Sequence, residues 1–268
     1  MNVSDRVRIT IIDGVADVVL TRPEKRNAFD DDMFAAITDA SAALAKDTSV
    51  QVVVLSGEGP CFSAGLDTSK FGGMVTGDVQ GGERILGLER GANGANRGQQ
   101  VSMGWRDVPV PVIAAVHGVA LGAGFQLALG ADLRFVSSDA RLSAFEINWG
   151  LVPDMGAFVL LRELLKADVA RDLVFSGRMV SGQEALQIGL ATRLCDDPRA
   201  EALAYARDLA GKNPDALKAA KRIFNMAIDS NVPTILEAES KEMAALMGAP
   251  NQLEAVRARL EKRTAHFR

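Results

Sequence analysis

The chain has 268 residues, 48% of them hydrophobic and 24% charged, the composition of an ordinary globular domain with enough apolar material for a full core. A formal net charge of -4 lacks the basic excess that a duplex nucleic-acid binder needs, so the expected partners are small molecules or proteins. Two cysteines, Cys61 and Cys195, and two histidines, His117 and His266, provide neither a disulfide framework nor a thiolate zinc site; a reducing, cytoplasmic setting is expected.

Met1 to Thr10 interleaves Asp5, Arg6 and Arg8 with apolar residues, and no stretch reaches about 18 uncharged apolar residues, so neither a signal peptide nor a membrane span is expected. Val7 to Ile12 and Ala16 to Leu20 read as a hairpin around Asp13-Gly14. Asp30 to Leu44 places Phe34, Ile37 and Leu44 at helical spacing behind an acidic first turn. Val52 to Leu55 is a continuous apolar run, the signature of a strand buried on both faces. Between Gly72 and Gly104 stand ten glycines, which predict a mobile segment or one draped over a site, with at most a turn or two of helix in Arg84 to Arg90.

Regular pattern returns with a strand at Pro111 to Val116, a glycine-rich turn at Gly118 to Gly124, a helix at Phe125 to Leu129 and a strand at Leu133 to Val136. That order favours a parallel sheet. Ser181-Gly-Gln-Glu184 reads as a capping box opening a helix that stops at Gly189, and helices are predicted over Pro198 to Leu209, Pro214 to Ile228, Thr234 to Met247 and Leu253 to Thr264. The shift to all-helical pattern near residue 197 divides the chain into residues 1–197 and 198–268.

Two loops hold candidate chemistry. Cys61-Phe-Ser-Ala-Gly-Leu-Asp67 follows a buried strand, where small residues let backbone N–H groups point into a cleft. Gly118-Val-Ala-Leu-Gly-Ala-Gly124 joins a strand end to a helix start, where free N–H groups and the helix dipole converge. It is not a phosphate loop, because no Gly-Lys-Ser/Thr follows and the dinucleotide glycine spacing is absent. Two such donors meeting across one site are what a thioester oxyanion requires.

Arg22-Pro-Glu-Lys-Arg-Asn-Ala28, Cys61 to Asp67, His117 to Leu127 with Asp132, and Phe145 to Gly156 together resemble, in order and spacing, the crotonase superfamily, also called the enoyl-CoA hydratase/isomerase family. The resemblance implies an α/β fold, a crotonase-like right-handed spiral of ββα units, with a helical C-terminal trimerisation region. It also implies a homotrimer or hexamer, the latter a dimer of trimers, acting on an acyl-CoA thioester through a stabilised enolate. Coenzyme A then arrives as part of the substrate, and no separate cofactor or metal is implied.

Carried over position by position, the resemblance puts the oxyanion donors on the N–H groups of Leu66 and Ala123. Glycine is usual at the second place, and the alanine methyl leaves its backbone angles and clearance open. The two glutamates that hold water in the family's hydratases correspond to Gln126 and Glu146, so one carboxylate is missing; a neutral amide orients water but is no base. Asp154 stands where the dienoyl-CoA isomerases and an aryl-CoA dehalogenase are acidic, and equally suits a helix cap. Coenzyme A contacts are implied at Lys25, Arg26, Ala28, Ala64 and Asp67, with Lys70, Lys262 and Arg263 as further phosphate candidates. His117 is expected to be a hydrogen-bonded structural imidazole. Phe145 and Trp149 are candidates to line the acyl pocket, and Met74, Met103 and Trp105 to close it, with core packing the rival role for each. The leading expectation is enoyl- or dienoyl-CoA double-bond isomerisation; the alternatives are 2-enoyl-CoA hydration and a catalytically degenerate acyl-CoA binding protein.

Overall fold

The strands are β1 (Asn2–Ser4), β2 (Val7–Ile12), β3 (Val15–Leu20), β4 (Val52–Gly57), β5 (Val112–Val116), β6 (Val119–Leu121), β7 (Leu133–Ser137), β8 (Arg141–Ser143), β9 (Val180–Ser181) and β10 (Arg193–Cys195) in a computed structural model that describes residues 2–69, 87 and 89–267. The helices over those residues are α1 (Asp31–Leu44), α2 (Arg97–Asp107), α3 (Ala123–Leu129), α4 (Ala157–Leu164), α5 (Ala167–Ser176), α6 (Gly182–Ile188), α7 (Pro198–Ala210), α8 (Pro214–Ala227), α9 (Val232–Leu246) and α10 (Pro250–Glu261). Short 3-10 turns occupy Pro23–Lys25 and Phe145–Trp149.

The main sheet has seven strands in the order β1-β2-β3-β4-β5-β7-β10. The hairpin edge is antiparallel, and the pairs from β3 to β10 are parallel. Every residue of β4 and β5 is buried, and the side chains alternate between two cores as the pleat requires. Val53, Leu55, Ala114 and Val116 join the core beneath α1, α2 and α3. Val52, Val54, Ile113 and Ala115 face Ala202 and Ala206 of α7. The first helix beyond residue 197 thus covers one face of the sheet.

A second sheet, β6-β8-β9, runs beside the first and is extended by the parallel bridges Phe29–Leu66 and Ser63–Ala120. The glycine spacing predicts a turn over Gly118 to Gly124. Its middle is strand β6, because Ala120 pairs with both Leu142 and Ser63. The chain therefore visits the main sheet, then the second sheet, then a helix, with β5, β6 and α3 as the clearest turn of that pattern.

Lys70 and part of the glycine-rich stretch, including Met74 and most of the Arg84–Arg90 turn, lie outside the described residues. The rest contains a helix that its glycines concealed. α2 opens on a capping box in which the Asn96 side chain accepts from Gln99 N–H and the Gln99 side chain accepts from Asn96 N–H. Gly104 serves close packing: a Cβ there would lie 2.6 Å from Ser41 Oγ, so its absence lets α1 and α2 cross. At α6 only half of the expected capping box forms. Ser181 Oγ accepts from Glu184 N–H, while the Glu184 carboxylate pairs with Arg178 at 2.7 Å.

α8 is tied to the α/β core by one buried lysine. Lys221 Nζ donates to Trp105 O at 3.1 Å, Val110 O at 2.9 Å and Asp132 Oδ2 at 2.8 Å, so all three ammonium protons are placed. Asp132 Oδ2 also accepts from Val112 N–H at 2.7 Å, at the start of β5. Lys221→Met strands these acceptors and is expected to cost about 2–4 kcal/mol of stability. Urea unfolding measures this, with partial recovery expected in the double variant carrying Asp132→Asn. An unchanged midpoint would show that the clamp carries no net stability.

Candidate active site

Both candidate loops leave the C-terminal ends of parallel strands, β4 and β5. In the first, Phe29 N–H donates to Gly65 O at 2.8 Å and Asp67 N–H donates to Phe29 O at 3.0 Å. A parallel bridge of this form turns the N–H of the intervening Leu66 away from Phe29. Gly65 has φ +88°, and a Cβ there would lie 2.5 Å from Leu121 O and 3.6 Å from Ala123 N, so glycine lets the two loops touch.

In the second loop Gly122, at φ +48°, turns the chain from β6 into α3, and its N–H donates to Ser143 O at 3.0 Å. Ala123 is the first residue of α3, so its N–H has no intrahelical acceptor. Neither the Leu66 nor the Ala123 amide donates to an acceptor among the described residues. The alanine methyl sits in the core, and Ala123 is absent from the positive-φ residues, so the backbone demand for glycine falls one position earlier.

The acid residues gather beside that helix start. Glu146 lies in the 3-10 turn, and a Cβ on Gly122 would stand 3.2 Å from Glu146 Oε1. Gln126, 0% exposed in α3, donates Nε2–H to Glu146 Oε1 at 2.7 Å and accepts Met155 N–H on Oε1 at 2.8 Å. Glu146 Oε2 is buried and makes no hydrogen bond among the described residues. Burial raises the Glu146 carboxyl above its ordinary 4.5, and the nearby Asp154 charge adds to the rise, against the lowering effect of its own amide and of Gln126. Asp154 keeps accessible surface, yet protein atoms crowd its carboxyl closely enough that burial lifts it above 3.8. It is not a cap: the N-cap of α4 is Gly156, and no side chain hydrogen-bonds to that helix start.

The residues expected near coenzyme A divide in two. Lys25 and Arg26 are exposed on the turn after Pro23, without an ion-pair partner among the described residues. Ala28 is buried with its carbonyl accepting Arg22 Nη1 at 2.9 Å, and Ala64 donates its N–H to Arg26 O at 2.9 Å. Asp67 is held down to about 2 by the Ser69 amide and hydroxyl and by Arg22, whose Nη1 lies 2.8 Å from Asp67 Oδ2. Of the further phosphate candidates, Arg263 is already paired with Glu254 and Glu261, while Lys262 is exposed.

Three contributors to this frame have no role predicted from the sequence. Arg22, one ninth exposed, ties Ala28 and Asp67 together and approaches Asp30 at 3.5 Å. Fully buried Asn27, at φ +53°, donates Nδ2–H to Glu58 O and Cys61 O, both at 2.9 Å. Both stand inside the Arg22 to Ala28 motif, which was their only signal. The Met155 amide is main chain and has no sequence signal. Among the remaining candidates, the His117 ring bonds Gly59 O at 2.9 Å through Nε2, Trp105 is fully buried in the core, and Trp149 is half exposed.

The family model described as enoyl-CoA hydratase/isomerase matches residues 10–268. A short-chain-enoyl-CoA hydratase of Clostridium acetobutylicum is 31% identical over 93% of this chain and 92% of its own length. The mitochondrial Delta(3,5)-Delta(2,4)-dienoyl-CoA isomerase of Mus musculus is 29% identical over 93% of this chain and 77% of its own. The crystal structure of an enoyl-CoA hydratase from Polaromonas sp. JS666 superposes with a TM-score of 0.86 at 28% identity, covering 98% of this chain and 99% of that one. With a spiral of paired sheets and two strand-end amides beside a buried glutamate, the chain belongs to the enoyl-CoA hydratase/isomerase family, an enzyme of the crotonase superfamily.

Proposed function

We propose that the protein isomerises a double bond in an enoyl- or dienoyl-CoA thioester. In the 3-enoyl case the ionised Glu146 removes a proton from C2 of the acyl chain, and the released electron pair delocalises onto the thioester oxygen as a dienolate. The Leu66 and Ala123 amides stabilise that oxygen. Glu146 then returns the proton to C4, the C2=C3 bond forms, and atoms and charge balance without water. Asp154, the second acid near Glu146, assists proton placement. Lys25 and Arg26 meet coenzyme A phosphates, with Ala28, Ala64 and Asp67 shaping the same groove, and no separate cofactor takes part.

One observation carries this reading. Gln126, at the position expected for a second water-holding carboxylate, has its oxygen engaged by Met155 N–H and its nitrogen by Glu146. Its oxygen already accepts a main-chain N–H, and the amide has no basic form at working pH. Hydration is the second reading, supported by the hydratase names of several relatives. We also propose a homotrimer or a dimer of trimers, built on residues 198–268, because large apolar side chains such as Phe224 (76%), Met247 (70%) and Leu260 (78%) are exposed on and beside α8, α9 and α10. No helix among the described residues is long and apolar enough to cross a membrane, and a cytoplasmic setting is proposed.

Turnover of crotonyl-CoA, a 3-enoyl-CoA and a 3,5-dienoyl-CoA, followed by mass spectrometry and absorbance, separates the readings. Isomerised product without hydration is expected; efficient hydration without isomerisation would replace this proposal with the hydratase. Glu146→Gln is expected to lower kcat by about 10² to 10⁴, and Asp154→Asn by less. Gln126→Glu is expected to raise crotonyl-CoA hydration by adding the missing carboxylate.

Because Glu146 works ionised, kcat/KM is expected to rise with pH through a midpoint above the ordinary 4.5, and a limb centred at or below that value would remove Glu146 as the base. Leu66→Pro deletes one oxyanion donor and is expected to abolish turnover while coenzyme A still binds, as read by calorimetry on the folded variant. Light scattering is expected to give a trimeric or hexameric mass, against a monomer of 28.5 kDa.

A further inference from the structure

We infer that Gln126 is a positioning residue that fixes both acids of the site at once, holding Glu146 through its carboxamide nitrogen and the Asp154–Met155 peptide through its carboxamide oxygen. The orientation of the amide is settled by chemistry. A backbone N–H only donates, so the atom 2.8 Å from Met155 N is the Gln126 oxygen, and the NH₂ group faces Glu146 Oε1 at 2.7 Å. Gln126 is fully buried, so no bulk water competes for either contact.

Two consequences follow for the reacting groups. One oxygen of Glu146 is committed to Gln126, while Oε2 is buried and bare. A buried carboxylate oxygen left unpaired is costly unless a partner arrives, which makes Oε2 the atom that takes and returns the substrate proton. The second consequence concerns Asp154. The Met155 N–H belongs to the peptide unit that begins at the Asp154 carbonyl carbon, so the same glutamine anchors the main chain from which Asp154 projects. A residue in the middle of α3 thereby sets the spacing between a carboxylate on the 3-10 turn Phe145–Trp149 and one in the segment leading to α4.

This deepens the proposed isomerase, and rests on it only for the claim that Glu146 carries the proton. The test is a ¹³C NMR titration of the Glu146 carboxyl in substrate-free protein, the signal being assigned by its loss in Glu146→Gln. Gln126→Met keeps the volume and removes both hydrogen bonds. The Glu146 midpoint is expected to move up by about one pH unit once its charge-assisted donor is gone. The acid limb of kcat should move with it, and kcat should fall about 10- to 100-fold with KM for the acyl-CoA changed little, the signature of misplaced proton transfer. Asp154, the ionisable neighbour whose charge acts on Glu146, is present in every variant.

An unmoved Glu146 midpoint in folded Gln126→Met, or activity that falls only in step with melting temperature, would overturn the assignment. A moved midpoint in a protein that isomerises no enoyl-CoA would uphold the positioning role and sink the isomerase reading. Should Gln126→Met fail to fold, Gln126→Glu takes its place: it keeps an acceptor for Met155 N–H and sets a second carboxyl against Glu146. Two coupled titration steps are then expected, the upper one raised, whereas one unperturbed step for Glu146 would overturn the proposal.

Discussion

The site depends on the contact between the loop after β4 and the end of β6, where Gly65 lies against the Leu121 carbonyl and the Ala123 amide. A side chain at Gly65 would hold the loops apart and move the Leu66 and Ala123 amides away from each other. The approach is prepared on both sides. Ser63 bridges Ala120, while Arg22 and Asn27 draw the preceding turn onto Ala28, Asp67, Glu58 and Cys61. The parallel main sheet brings both loops to the same edge, since each follows the C-terminal end of its strand.

Beside that frame, burial and one amide set the state of the two carboxyls. Removal from water raises both Glu146 and Asp154, each reinforced or opposed by its immediate partners. A carboxylate so destabilised is a stronger base than one in solvent, suited to an acidic C–H beside a thioester held by two N–H donors. Gln126 moderates that effect at one oxygen of Glu146 and leaves the other free. On the proposed reading, the two loop amides hold the thioester oxygen and Gln126 replaces the carboxylate that would share the water in a hydratase.

Much of this was legible in the sequence because it rests on local rules. The buried strand at Val52 to Leu55, the Asp13-Gly14 hairpin, the helix opening at Asp30 and the C-terminal helices follow from hydropathy period, turn chemistry and capping, with ends displaced by one to three residues. The second sheet was missed because β6 and β8 are three residues each and are defined by long-range pairing. α2 was hidden because Gly98 and Gly104 read as breakers, although packing against α1 is what Gly104 permits. At the site, the resemblance to the crotonase superfamily, carried over position by position, points to Glu146, Asp154 and Gln126. The direction of the Gln126 amide is fixed by a main-chain donor, which no side-chain pattern reveals. Ala123 was ambiguous for a similar reason, since the positive φ belongs to Gly122.

If two backbone amides hold a thioester enolate while Glu146 carries one proton from C2 to C4, the transferred hydrogen stays with the acyl chain. A 3-enoyl-CoA deuterated at C2 is turned over in ordinary water and the label located by mass spectrometry and proton NMR. Deuterium is expected at C4 of the 2-enoyl product with the native protein, and its transfer is expected to slow by about 10² or more in Glu146→Gln. Label transfer at an undiminished rate in that variant, or product carrying solvent oxygen at C3, would overturn the assignment.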